Sequence, residues 1–136
     1  MHRRTFLATS LASLAATPLL AASGTVYRPG LVQEELAAGK TVFLDFYASW
    51  CSTCRVQGKH IASLLDANPD YEKNISFIQV DWDQHSNSDL AKRLNIPRRS
   101  TLVVLKGDQE LGRIVAGTSK GDIKALMDTA LAASVA

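Results

Sequence analysis

Two cysteines, Cys51 and Cys54, stand in the stretch "FYASWCSTCRVQ" (46–57), and the chain holds no others. Thiols spaced this way support three chemistries. They can clip a soft metal, form a short structural disulfide, or work as a redox dithiol. Two cysteines do not make a disulfide scaffold, and the C-x-x-C loop is too short to brace a fold. A zinc site wants four ligands, or three and a water. The other soft-ligand candidates, His60 and His85, are scattered in the sequence. A copper site needs only the dithiol and one histidine, so metal binding or delivery through the same pair is the alternative to redox chemistry.

The elements around the pair bear on that choice. "TVFLDFYA" (41–48) is a continuous apolar run with one acid, the pattern of a buried strand. Residues 52–67 read as a helix, with Ile61, Leu64 and Leu65 at helical spacing and Pro69 beyond its end. Strands are expected at 75–82, 101–107 and 111–117, the last two as a hairpin around "GDQE". Helices are expected at 30–38, 86–94 and 119–132, the last with Ile123, Leu126, Met127 and Leu131 inward. Thr25 to Tyr27 adds a short edge strand. This order predicts an α/β domain with a mixed sheet of four to five strands flanked by helices.

Cys51 therefore falls where a buried strand gives way to a helix. A helix N-terminus offers free N–H groups and the positive end of the dipole, and both stabilise a thiolate. A dithiol so placed has its first thiol pKa drawn down from about 8.5. Cys51 is then the nucleophile. Cys54, one turn further and expected to be more buried, resolves the mixed disulfide. Trp50 is expected to cover the pair. Asp45 lies inside the apolar run, where an ionised carboxylate is costly. It reads either as a structural acid or as a proton acceptor of raised pKa serving Cys54. Asp81 and Asp83 read as solvated acids at a strand end.

"FLDFYASWCSTC" resembles the active-site segment of the thioredoxin superfamily, with Asp45 at the acid position that precedes W-C-x-x-C. "LDFYASWC" is particularly similar to the C-terminal thioredoxin-like domain of disulfide reductases of DsbD type. The likeness implies a thioredoxin fold and thiol–disulfide exchange with protein thiols or disulfides, recharged by a redox donor protein. It implies no prosthetic cofactor, because the dithiol carries the electrons. Two departures stand out. The dipeptide between the cysteines is Ser52-Thr53, so the direction of electron flow stays open. The family's cis-proline before the third strand has no simple counterpart in "NIPRRSTLVVLKG". Either Pro97 serves from a longer loop, or Ser100 takes its place and brings Arg98 and Arg99 towards the dithiol. A solvated basic pair is the plainer reading of those arginines.

The chain has 136 residues, 46% hydrophobic and 21% charged, which suits one globular domain. Residues 1–23 have a basic start, an uncharged apolar run and small residues at the end, the layout of an export signal. "RRTFL", from Arg3 to Leu7, resembles the twin-arginine signal, although Ala8 stands where a basic residue is usual. Ala21 and Ser23 place cleavage before Gly24 and leave a domain of residues 24–136 in the periplasm or another exported compartment. The apolar run is broken by Ser10, Ser13, Thr17 and Pro18 and is barely long enough to span, so no lasting membrane insertion is expected. Removal of Arg3 and Arg4 brings Lys plus Arg from 15 to 13, level with 13 acids. A neutral domain carries no nucleic-acid footprint. The mature protein is expected to be a monomer.

Overall fold

The structure, a computed structural model, describes residues 24–136. The expected export segment lies outside the described residues. Five strands form one mixed sheet in the order β1-β3-β2-β4-β5: β1 (Thr25–Val26), β2 (Thr41–Tyr47), β3 (Ile75–Asp81), β4 (Thr101–Lys106) and β5 (Gln109–Val115). β3 runs parallel to both β1 and β2, while β4 is antiparallel to β2 and to β5. The helices are α1 (Leu31–Ala37), α2 (Ser52–Ala67), α3 (Asp70–Asn74), α4 (Trp82–His85), α5 (Asp89–Arg93) and α6 (Lys120–Ser134).

β2 is central, and its alternation builds the two faces of the core. Val42, Leu44 and Phe46 pack with Leu31 and Val32 of α1 and with Leu90 and Ala91 of α5. Phe43 points the other way, into Ile61, Leu64 and Leu65 of α2 and Ile123 and Met127 of α6. Asp45 shares Phe43's face by the same period of two, which directs it towards α2. Burial on both faces explains why 41–47 reads as an apolar run broken only by Asp45 rather than as an alternation.

The helix starts follow from short polar caps. Ser88 accepts from the Ala91 N–H and Ser119 from the Asp122 N–H. β4 and β5 turn at Gly107, whose φ of 59° suits a residue without Cβ.

The structure departs from the expected elements at several edges. Trp82 leaves the strand and opens α4, because the Asp81 carboxylate accepts from the Asp83 N–H at 3.0 Å and caps a helical turn there. The helix expected over 86–94 contracts to α5, since Ser88 caps it and the first helical residue, Asp89, comes three residues late. β5 begins at Gln109, within the expected turn. The one-turn α3 follows Pro69 and carries no apolar period long enough to mark it in advance.

Candidate functional site

β2 ends by delivering Ala48, Ser49 and Trp50 to the start of α2. The Cys51 N–H donates to the Ala48 carbonyl at 3.2 Å, closing the turn. Cys51 is itself the N-cap of α2: its extended backbone turns its sulfur back to accept the Cys54 N–H at 3.2 Å. The two Cα atoms are 5.3 Å apart, within disulfide reach, and the sulfurs are joined as a disulfide. Cys51 is 2% and Cys54 6% exposed, so Cys54 is not the more buried of the two, contrary to expectation. Both pack with Ala48 against Tyr47 and Trp82.

Trp50 is the residue expected to cover the pair. It is 57% exposed, and its indole N–H donates to the Asp83 carboxylate at 3.0 Å. The Arg99 guanidinium lies 4.3 Å from the centre of its ring, a cation–π contact. Asp83 is therefore the anchor of an aromatic shelf beside the dithiol, and Asp81 is a helix cap. Asp81 ends β3 and Asp83 is exposed, as expected of strand-end acids, but each also holds a hydrogen bond that the sequence did not show.

Ser100 occupies the position opposite the dithiol. It is fully buried, and its Oγ lies 3.1 Å from Cys51 Sγ and 3.0 Å from Cys54 Sγ. Pro97, a candidate for this place on sequence grounds, is exposed three residues upstream, and no peptide bond among the described residues is cis. Ser100 sits at φ 61°, a left-handed conformation that costs a residue other than glycine about 1–2 kcal/mol. Its backbone is held on every side. The N–H donates to the Phe46 carbonyl at 2.7 Å, and the carbonyl accepts from Ala116 N–H at 2.8 Å and Gln57 Nε2 at 3.1 Å. Strain of this kind persists where surrounding contacts over-determine it.

Gln57 is a residue that sequence reasoning missed. It is fully buried on α2, and its amide donates to both the Ser100 and the Gly117 carbonyls. The signal was there to be read. Gln57 lies on the face of α2 that also carries Cys54, Ile61, Leu64 and Leu65, and a polar residue on a buried helix face needs a partner.

The residues between the cysteines differ in role. Ser52 is exposed in the first turn of α2. Thr53 is half-buried, and its Oγ1 lies 3.2 Å from Cys51 Sγ and 2.7 Å from Ser100 Oγ. Arg98 turns its Nε back onto the Arg99 carbonyl at 3.1 Å.

Asp45 pairs in register with Gln79 of β3 and Leu102 of β4. Its Oδ1 is enclosed without a hydrogen-bond partner, and burial pushes the carboxyl pKa up to about 7. A cavity of about 30 Å³ beside it is lined by Phe43, Gly58, Ile61, Phe77 and Gln79. That is room for one water. Gly58, one turn beyond Cys54, leaves its side of this space open. The half-buried carboxyl thus lies on the α2 side of β2, with one oxygen enclosed and its pKa raised by burial.

His85 stacks edge-on against Tyr27, with ring centres 4.8 Å apart. His60 lies on α2 beyond the dithiol turn. Among the described residues, no three His, Cys, Asp or Glu side chains gather into a metal-binding group. No described helix is long and apolar enough to cross a membrane.

The family model described as thioredoxin matches residues 29–129. Mitochondrial thioredoxin-3 of Saccharomyces cerevisiae is 31% identical over 85 residues, which are 62% of this chain and 62% of that protein. The H-type thioredoxin of Fagopyrum esculentum is 33% identical over 91 residues, covering 67% of this chain and 72% of its own. The crystal structure of Trxlp from Edwardsiella tarda superposes with a TM-score of 0.64 at 25% identity, over 75% of this chain and 98% of that one. The thioredoxin of Malassezia sympodialis does so with a TM-score of 0.62 at 26% identity, over 78% and 91%. A β2–α2 junction that ends in W-C-x-x-C, set in this five-stranded sheet and matched over most of its length, makes this chain a member of the thioredoxin family.

Proposed function

We propose that this chain is an exported thiol–disulfide oxidoreductase that works on protein clients. The observation that carries the reading is the disulfide-linked Cys51–Cys54 pair at the N-terminus of α2, with Cys51 as the cap. In the reductive direction, the Cys51 thiolate attacks one sulfur of a client disulfide. The other client sulfur leaves as a thiolate and takes a proton. Cys54 then gives its proton to the Asp45 carboxylate and attacks Cys51 Sγ. The second client sulfur leaves, and two electrons have passed from the dithiol to the client. The reverse sequence oxidises a client dithiol. Trp50 and Arg99 provide the rim on which a client segment lies.

Export rests on the "RRTFL" start and the small residues before Gly24. The likeness of "LDFYASWC" to the C-terminal domain of DsbD-type reductases supports a periplasmic monomer recharged by a redox donor protein. The test is trapping. A Cys54→Ser variant accumulates mixed disulfides with clients through Cys51, and alkylation of the reduced protein near neutral pH modifies Cys51 first. Trapping through Cys54 in the reciprocal Cys51→Ser variant, with none in Cys54→Ser, reverses the roles. No exchange with insulin disulfides in the presence of a thiol donor removes the activity.

A further inference from the structure

Four atoms lie in a closed knot at the dithiol. Thr53 Oγ1 and Ser100 Oγ are 2.7 Å apart, Thr53 Oγ1 is 3.2 Å from Cys51 Sγ, and Ser100 Oγ is 3.1 and 3.0 Å from the two sulfurs. A disulfide has no S–H, so its sulfurs only accept. The knot therefore contains two protons, one on each hydroxyl, and every chain of donation ends on sulfur. In one order, Thr53 donates to Ser100 and Ser100 donates to a sulfur. In the other, Ser100 donates to Thr53 and Thr53 donates to Cys51.

We propose that the Thr53 and Ser100 hydroxyls are a paired donor to the reacting sulfurs, and that they set how readily Cys51 exists as a thiolate. This deepens the oxidoreductase reading and rests on it. On reduction, Cys51 Sγ becomes the strongest acceptor of the four. Both hydroxyls turn to it, joining the Cys54 N–H that already reaches it at 3.2 Å. Three donors then converge on one sulfur at a helix N-terminus. Of the two hydroxyls, only that of Ser100 lies within reach of both sulfurs, so by rotating one O–H it follows the charge to Cys54 when that sulfur attacks. A ring in this place has no proton to offer.

Donors to an ionised acceptor are roughly twice as strong as those to a neutral one. The hydroxyls thus favour the thiolate over both the thiol and the disulfide. Their loss raises the Cys51 pKa and makes the couple more reducing. Ser100 is well placed for this because its backbone is pinned by Phe46, Ala116 and Gln57, which holds the hydroxyl inward at a φ of 61°.

The experiment measures the Cys51 thiol pKa by the pH dependence of alkylation, and the reduction potential by equilibration with glutathione. Among the described residues, the charged and titratable groups on the segments that flank the dithiol include Asp45 and Tyr47 on β2, Asp81 and Asp83 at α4, Arg55 on α2, and Arg98 and Arg99 before β4. All are unchanged in the variants. Ser100→Ala and Thr53→Val each raise the pKa by about one unit, a tenfold fall in the thiolate-to-thiol ratio, because each removes a donor to a charged sulfur. Each lowers the potential by about 30 mV, the value of a tenfold change for two electrons. Thr53→Ser retains the hydroxyl and restores the wild-type values. Ser100→Gly, which relieves the left-handed backbone, guards against a Ser100→Ala that fails to fold, and shifts the pKa in the same direction. A pKa unmoved in all of the hydroxyl-deleting variants overturns the proposal and leaves the pair as packing. A wild-type protein that neither equilibrates with glutathione nor reduces insulin overturns the oxidoreductase reading instead, while the thiol pKa series still reports on the hydroxyls.

Discussion

Replacing Asp45 with asparagine should make the protein more stable and slower. The carboxyl pKa rises from its ordinary 3.8 to about 7 because burial disfavours the ion. Below pH 3.8 the group is protonated in both the folded and the unfolded chain, and it costs nothing. Between 3.8 and about 7 the unfolded chain releases the proton while the folded one keeps it, so stability falls as pH rises. Above about 7 the loss is complete. At about 1.36 kcal/mol per pKa unit, the full loss is about 4 kcal/mol, of which roughly 2–3 kcal/mol falls between about pH 5 and pH 8.5. The asparagine would carry no charge and lose this dependence, but its amide meets a site where Oδ1 already has no partner, at a cost of about 1 kcal/mol. The net expectation is a variant about 3 kcal/mol more stable than wild type at pH 8.5, and much closer to it at pH 5. Urea unfolding of both oxidised proteins across this range reads the difference. Stopped-flow exchange with a client disulfide should show slower release of the mixed disulfide, since Cys54 loses its proton acceptor. Parallel stability curves for the two proteins, with identical exchange rates from pH 6 to 9, would refute the account.

Gln57→Leu keeps the volume of the side chain but removes two donors, leaving the Gly117 carbonyl without this partner. The Oε1 that goes with them is buried without a partner, which offsets part of the cost, so a loss of up to about 1 kcal/mol is expected, seen as a lower urea midpoint at unchanged slope. Changing Arg3 and Arg4 together to lysine should abolish export through the twin-arginine route. Normal export of that variant assigns the general secretory path, and mass spectrometry of the wild-type exported chain should find the N-terminus at Gly24.

The sequence alone was enough to determine the alternation of strand and helix and the place of Cys51 at their junction. The reason is local. β2 is buried on both faces and reads as continuous apolar residues, α2 carries its apolar stripe at helical spacing, and a C-x-x-C pair brings its own geometry. Asp45 was visible as an acid within that apolar run. Its raised pKa, however, depends on the enclosure of one carboxylate oxygen beside Phe43, Gly58 and Phe77, which three separate elements supply. The choice between Pro97 and Ser100 lay beyond the sequence. The loop before β4 accommodates either, and the outcome is decided by the bonds from Ser100 to Phe46 and Ala116, which exist only once β2, β4 and β5 are aligned. The same is true of Gln57, whose partners lie 43 and 60 residues away. The setting of Trp50 has a comparable reason: Asp83 and Arg99, far apart in the chain, hold its indole from its edge and its face. Periodicity records which face of an element is buried. It does not record which distant polar group that face will meet, and at this dithiol those distant groups supply the hydroxyls and the amide around the sulfurs.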